Sequence, residues 1–277
     1  MPIPSDLIGR AREIEPLPRT AVELLGVLDD DDVDSREIAG IVERDQAMVA
    51  KVMQIAGSSY YGARRPPSTV QTAVARIGID AVQLIAVAAH ARKTLKDTEM
   101  YGLTEQELWN HSLASTVAVK EYNALFPESQ LHPSASMAAL VHDIGKVPLC
   151  RHLNVSHEQI WEKAAEWDVP FVEVERRLTG CDHAEVSAVI TECWSFPMEV
   201  CAAVATHHDP EAEGSQLADA IVMANVVAKT VGAGVGAEGL DFEVNPDVFR
   251  RLQLTPDKFE QLCASTAWRL SNRETPV

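Results

Sequence analysis

Helix-start signals recur along this 277-residue chain, and most are followed by apolar residues at three- and four-residue spacing. Ser68-Thr69-Val70-Gln71 is a capping-box pattern ahead of Val74 and Ile77, stopped by Gly78. Thr104-Glu105-Gln106-Glu107 is another, opening a helix that runs to about Leu125. Asp34 precedes Ile38, Ile41 and Val42; Asp45 precedes Met48, Val49, Val52 and Met53, with Gly57 as the stop. Thr20 is placed to cap a short helix to Leu28, and Asp80 to cap a very apolar one through Val87. Further helices are expected from Ser156, between Pro170 and Gly180, from Asp182, and from Pro197 to His207-His208. Others follow from Ser215 to about Val231, from Asn245-Pro246 and from Thr255-Pro256. Period-2 alternation never persists and no fixed-period repeat is evident, so the expected fold class is all-α.

Composition narrows what such a helical protein can do. The net charge is −17 and no Lys/Arg stripe interrupts it, which argues against direct binding to nucleic acid or an anionic membrane. The most apolar run, Ala81 to Ala91, is too short to span a bilayer and contains Gln83 and His90. The Met1 to Asp6 start lacks a basic and an apolar signal region, and the five cysteines show no Cys-x-x-Cys pairing. A cytoplasmic protein with free, mostly buried thiols is expected. The acidic run Asp29 to Asp32 reads as a solvated connection feeding a helix N-terminus. The loop with Tyr60, Tyr61, Arg64 and Arg65 reads as surface, while Met48, Met53 and His90 read as core.

The residues with chemistry to offer sit on helices. His111 shares a face with Leu108 and Ser115 and so points inward. In Met137 to Lys146 a small-residue helix carries His142-Asp143 to its end, where Gly145-Lys146 stops it. His183 lies in a first helical turn, and His207-His208 close another helix. Imidazoles with a carboxylate suit Zn, Mn or Fe(II), and converging helices are a way to build one- or two-metal phosphoester sites. Lys146 would meet either a phosphate or the dipole of its helix end.

The ordered set His111-Ser112, His142-Asp143-Ile144-Gly145-Lys146, His183 and His207-His208 resembles the HD superfamily of metal-dependent phosphohydrolases. Its order is nearest to that of the HD-GYP cyclic-di-GMP phosphodiesterases. The segments Ile38 to Gly62 and Ser68 to Val87 are similar to the HDOD domain, the HD-related output domain of bacterial signalling proteins. Cys181-Asp182-His183-Ala184-Glu185-Val186, Trp194-Ser195-Phe196-Pro197 and His207-His208-Asp209-Pro210 extend the resemblance. It implies a two-lobed helical HDOD domain over about 14–212, with lobes 14–98 and 99–212, and C-terminal helices 213–277 packed on the HD-like lobe.

Two departures weigh against the hydrolytic pattern. No Gly-Tyr-Pro follows His207-His208, and the late aspartate is represented by either Ala218-Asp219 or Ala224-Asn225. Six residues rotate a helix by roughly 600°, so only one of Asp219 and Asn225 can face the site. The flanking Ile221, Val222 and Met223 favour Asn225 as the replacement for the last aspartate. The resemblance then implies a cytoplasmic bacterial regulatory module, non-catalytic, acting through protein–protein contact or ligand sensing. Its expected partners are other signalling proteins, such as a sensor or regulator chain, with a homodimer also compatible. No nucleic acid and no membrane are expected. The alternative is an HD-type hydrolase of a nucleotide or other phosphoester. There His111, His142 and Asp143 would hold one ion and His183, His207 and His208 a second, with Asp143 and Lys146 as the catalytic candidates. The metal would be Fe, Mn, Zn or Ni; the regulatory reading requires no cofactor.

Overall fold

The computed structural model describes residues 3–27, 33–63, 65–95, 104–153, 157–209, 215–234, 245–272 and 275. All its regular structure is helical, and no strand occurs among the described residues. The chain divides into two compact units, 1–15 with 94–268 and 16–93 with 269–277. Asp29 to Asp32, Arg64, the turn from Lys96 to Gly102 and most of the glycine-rich stretch after Gly234 lie outside the described residues.

Helix α1 (Ser5–Arg12) buries Leu7 and Ala11 and belongs to the larger unit. No start signal announced it. The smaller unit then contains α2 (Arg19–Leu25), α3 (Ser35–Val42), α4 (Gln46–Ala56), α5 (Val70–Ile77) and nearly all of α6 (Ile79–Leu95), with a 3-10 turn at Ser59–Tyr61. Asp34 and Asp45 cap α3 and α4 through their first-turn amides, as expected. Three starts differ from the expected ones. Pro18, whose ring fixes φ, precedes α2, so Thr20 lies inside the helix. Thr69 caps α5 by accepting from Thr72, one residue along from the expected Ser68 register. Asp80 lies in the first turn of α6, favourable to the helix dipole, but does not cap it. In this unit α5 packs on α3 and α4, and Gln83 donates to the Leu24 carbonyl at 2.7 Å inside the core.

The larger unit resumes with α7 (Glu105–Leu125), α8 (Ala135–Val141), α9 (Lys146–Leu153), α10 (His157–Trp167), α11 (Phe171–Thr179), α12 (His183–Cys193), α13 (Met198–Ala205), α14 (Gln216–Thr230), α15 (Pro246–Arg251) and most of α16 (Pro256–Ser271). Here α14 packs on α7 and α8, and α12 on α13 and α1. Ala135, Ala138 and Ala139 are fully buried on α8, and such short side chains let backbones approach closely. Asp182 forms a complete capping box with Glu185, and Pro197 stands just outside α13 where first position was expected. That helix stops at Ala205, so His207 and His208 sit in the turn beyond it. The thiols are free, but only Cys181 and Cys201 are buried and Cys193 is exposed, which corrects the expectation of mostly buried cysteines. Among the described residues no single helix is long and apolar enough to cross a membrane.

Thr104 closes the start of α7 twice, accepting from the Glu107 amide while Glu107 returns a carboxylate to the Thr104 amide at 2.7 Å. Thr104→Ala removes one half of that exchange. Its expected cost is about 1 kcal/mol in chemical denaturation. An unchanged midpoint would mean that α7 is held by packing alone.

Candidate metal centre

The larger unit brings His111, His142, Asp143, His183, His207 and His208 into one cluster, with Asp143 at its middle. His111 comes from the second turn of α7, and His142-Asp143 from the bend after α8. His183 is the first residue of α12, and His207-His208 follow α13. His111, as expected, faces inward with Leu108 and Ser115. Every member except His208 is at least 95% buried, and His208 is partly so.

The bend that holds Asp143 depends on a close approach. Helix α8 stops at Val141, ahead of the expected Gly145-Lys146 stop, and Gly145 leads directly into α9. Its amide donates to Ser187 Oγ at 2.8 Å, and Ser187 Oγ donates to the His183 carbonyl at 2.8 Å. A Cβ at Gly145 would overlap that carbonyl oxygen, so only glycine lets α12 come this near.

Four of the five histidines, His111, His142, His183 and His207, are turned by a partner on the far nitrogen. His142 Nδ1 lies 2.9 Å from the Ala139 carbonyl and His207 Nδ1 lies 2.7 Å from the Val204 carbonyl. Both carbonyls sit three residues back in a last helical turn, where backbone acceptors have no intrahelical donor. His111 Nδ1 meets the Ala233 carbonyl at 3.2 Å. If Nδ1 carries the proton, as those acceptors demand, Nε2 presents a lone pair to the interior. The Nε2 atoms of His111, His142 and His207 are indeed buried without a hydrogen-bond partner, as is Asp143 Oδ1. Buried orphan acceptors aimed at one carboxylate are the donor set a divalent ion fits, and this far-side anchoring is typical of metal-binding imidazoles.

His183 is anchored by a carboxylate. Glu175 Oε2 takes its Nδ1 at 2.7 Å and its backbone amide at 2.9 Å, and Glu175 is completely buried. The sequence did not single out Glu175, which reads as an ordinary charged residue of α11. It reaches His183 because Gly180, at φ +85, reverses the chain between the two helices. The only signal was the glycine itself, standing just past a helix end before the Asp182 cap.

The two oxygens of Asp143 face different partners. Oδ1 looks to His183 Nε2 at 3.2 Å and His207 Nε2 at 3.9 Å, and His183 Nε2 is 3.0 Å from His208 Nε2. Oδ2 looks to His142 Nε2 at 3.4 Å, His111 Nε2 at 3.5 Å and Lys146 Nζ at 2.8 Å. The cluster therefore offers two donor groups sharing one carboxylate: Asp143, His183, His207 and His208, and His111, His142 and Asp143. In each group the donor atoms lie within 4.8 Å of one another. A divalent ion of the kind that accepts imidazole and carboxylate fits there.

The two candidates on α14 have different surroundings. Asp219 is turned away, accepting from Arg251 Nε at 2.7 Å and Nη2 at 2.6 Å. Asn225 is buried with Oδ1 unpartnered. It lies one turn before Lys229 on the same helix face, and the Lys229 charge is felt at both His111 and His208.

The electrostatics follow from enclosure. Burial pushes His111 and His142 down to about 4 and His207 to about 3, with His208 also well below the usual imidazole range. Burial alone would raise Asp143, but His142, Lys146 and His183 together hold it well below the usual carboxylate range. Burial also opposes charge on His183, yet Glu175 overrides it and lifts the imidazole to about 10. Metal-stripped protein is therefore expected to lose stability as pH falls from about 6.5 towards 4. Over that window unfolding lets His111, His142 and His207 take up protons that the folded state refuses. His183 adds no slope there, being protonated in both states; its contribution is lost instead as pH rises from about 6.5 to 10. Thermal melts of chelator-treated protein across pH 4 to 7 check the sign, and a flat profile would contradict neutral buried imidazoles.

The HDOD domain family model matches residues 14–210. An uncharacterized protein of Treponema pallidum (strain Nichols) is 21% identical over 229 residues, which is 81% of this chain and 44% of that protein. The chain thus spans less than half the length of the curated relative it matches. Among solved structures, an HDOD domain protein of unknown function from Geobacter sulfurreducens superposes with a TM-score of 0.72 at 23% identity, over 97% of this chain and 96% of that one. A provisionally named metal-dependent phosphohydrolase from Shewanella amazonensis SB2B gives 0.60 at 24% identity, over 94% and 96%. At such identities the structures testify to the fold. The family match, covering most of the sequence and its whole histidine set, carries the assignment: this chain belongs to the HDOD domain family.

Proposed function

We propose that the chain is a cytoplasmic, non-catalytic signal-transduction module. In it the histidine–aspartate cluster holds a divalent ion that reports a ligand or metal state to other signalling proteins. The observation that carries this reading is enclosure. His111, His142, Asp143, Lys146 and His183 are all within 3% of complete burial and His208 alone in the cluster is partly exposed, which favours a held ion over an open substrate site. A buried ion still has structural leverage, because its ligands come from α7, α12 and the chain after α8 and α13. Asn225, in place of a late carboxylate, supplies a neutral oxygen and withholds a charge that would help poise a bound water.

Lys146 is engaged with Asp143, donating to Oδ2 at 2.8 Å. The net charge of −17 favours protein partners over nucleic acid. The test is metal content of protein purified without chelator, paired with hydrolysis of bis-p-nitrophenyl phosphate and a cyclic dinucleotide. Bound metal with no turnover above that of His142→Ala is expected. Turnover that His142→Ala abolishes would overturn the non-catalytic reading in favour of an HD-type phosphohydrolase, and metal-free protein would remove the ion from it.

A further inference from the structure

We infer that this centre is mononuclear: the ion occupies Asp143 Oδ1, His183, His207 and His208, while the ammonium of Lys146 takes the place of a second cation beside His111 and His142. The inference rests on the metal-binding reading above and specifies which half of the cluster is used. Distances alone do not separate the halves. Tetrahedral coordination with metal–nitrogen bonds of about 2.0–2.1 Å puts neighbouring donors roughly 3.3 Å apart. The 3.0, 3.2 and 3.9 Å separations among His208, His183, His207 and Oδ1 bracket that value, and the 3.4 and 3.5 Å ones around Oδ2 lie close to it.

Charge and donor number separate them. The first half has four ionisable donors, enough to close a tetrahedral shell. The second has three, and one of its donor atoms, Asp143 Oδ2, is already bound by Lys146 Nζ at 2.8 Å. Lys146 is itself buried, so its charge is poorly screened and a divalent ion on Oδ2 would press against it. Helix α14 packs on α7 and α8, the helices that carry His111 and lead to His142, and it brings Asn225 with its unpartnered buried Oδ1. A fourth donor from this helix would thus be neutral. An ion at His183 Nε2 replaces a proton there, and Glu175 behind Nδ1 at 2.7 Å leaves that half with two carboxylates, whereas the half with His111 and His142 has the Lys146 cation added and a carboxylate missing.

The experiment loads the full-length chain with Mn2+ and measures ions per chain by elemental analysis together with its electron paramagnetic resonance spectrum. One ion per chain and an uncoupled six-line signal are expected. His183→Gln and His207→Gln should bring the content to background. The double variant Lys146→Met with Asn225→Asp should raise it towards two ions and produce a spin-coupled signal. Two ions in the wild-type chain would overturn the inference and leave the metal-binding reading standing, whereas no ion in the wild type would overturn both. An ion lost in His142→Gln but kept in His207→Gln would also overturn it. Should the histidine variants fail to fold by circular dichroism, wild-type stoichiometry decides the nuclearity and electron spin-echo modulation decides the half, three coordinated imidazoles being expected and two overturning the inference.

Discussion

Asp143→Ala is expected to abolish the proposed metal binding and to destabilise the folded chain by about 3–5 kcal/mol, the cost of removing one partner from a buried charged set. Asp143 is the anion common to both donor groups, and it accepts from Lys146 at 2.8 Å. With the carboxylate gone, Lys146 and a His183 held charged by Glu175 share a dry space with nothing negative between them. Two consequences can be parted experimentally. Asp143→Leu with Lys146→Met removes both charges and fills the volume, and should recover most of the lost stability in urea titration. It should recover none of the metal. If the single substitution leaves both stability and metal content at wild-type levels, Asp143 is neither the electrostatic nor the coordinating centre of the cluster.

The parts of this fold that could be read from sequence are those set by local chemistry. Thr104, Asp34, Asp45 and Asp182 cap the helices they were expected to cap, because a capping hydrogen bond involves residues within one turn. His111 could be placed inward because helical periodicity carries Leu108 and Ser115 to the same face. What escaped was set by distant partners. Helix α9 was hidden behind Gly145-Lys146, which reads as a stop, yet the glycine is there for the passage of α12. Glu175 escaped because its partner His183 lies across the Gly180 reversal, and nothing in α11 distinguishes it from a solvent-facing glutamate. Asp219 and Asn225 were separable only by face. The structure adds the reason Asp219 is unavailable, a two-point grip by Arg251 from α15 that no local pattern encodes.

Gly145→Ala is the second large effect, expected although it touches no titratable group. The added Cβ would overlap the His183 carbonyl oxygen and stand 2.5 Å from the Ser187 amide nitrogen and 2.8 Å from Ser187 Oγ. Two of these neighbours are backbone atoms in the first turns of α12, so no side-chain rotation relieves the clash. The helix must move, at a cost of about 3 kcal/mol or slightly more, the upper end for overpacking. Such a movement takes His183 away from Asp143 Oδ1 and breaks the amide bond from Gly145 to Ser187 Oγ. Metal content should therefore fall with every ligand residue still present. Gly40→Ala is the matched control, since a Cβ there meets nothing within 4 Å and α3 should gain about 0.5–1 kcal/mol. Denaturation midpoints and metal content measured on the two variants separate the readings. A Gly145→Ala chain as stable and as metal-loaded as wild type would mean that α12 is not held against the bend, and that the ligand geometry depends on His183 and Glu175 alone.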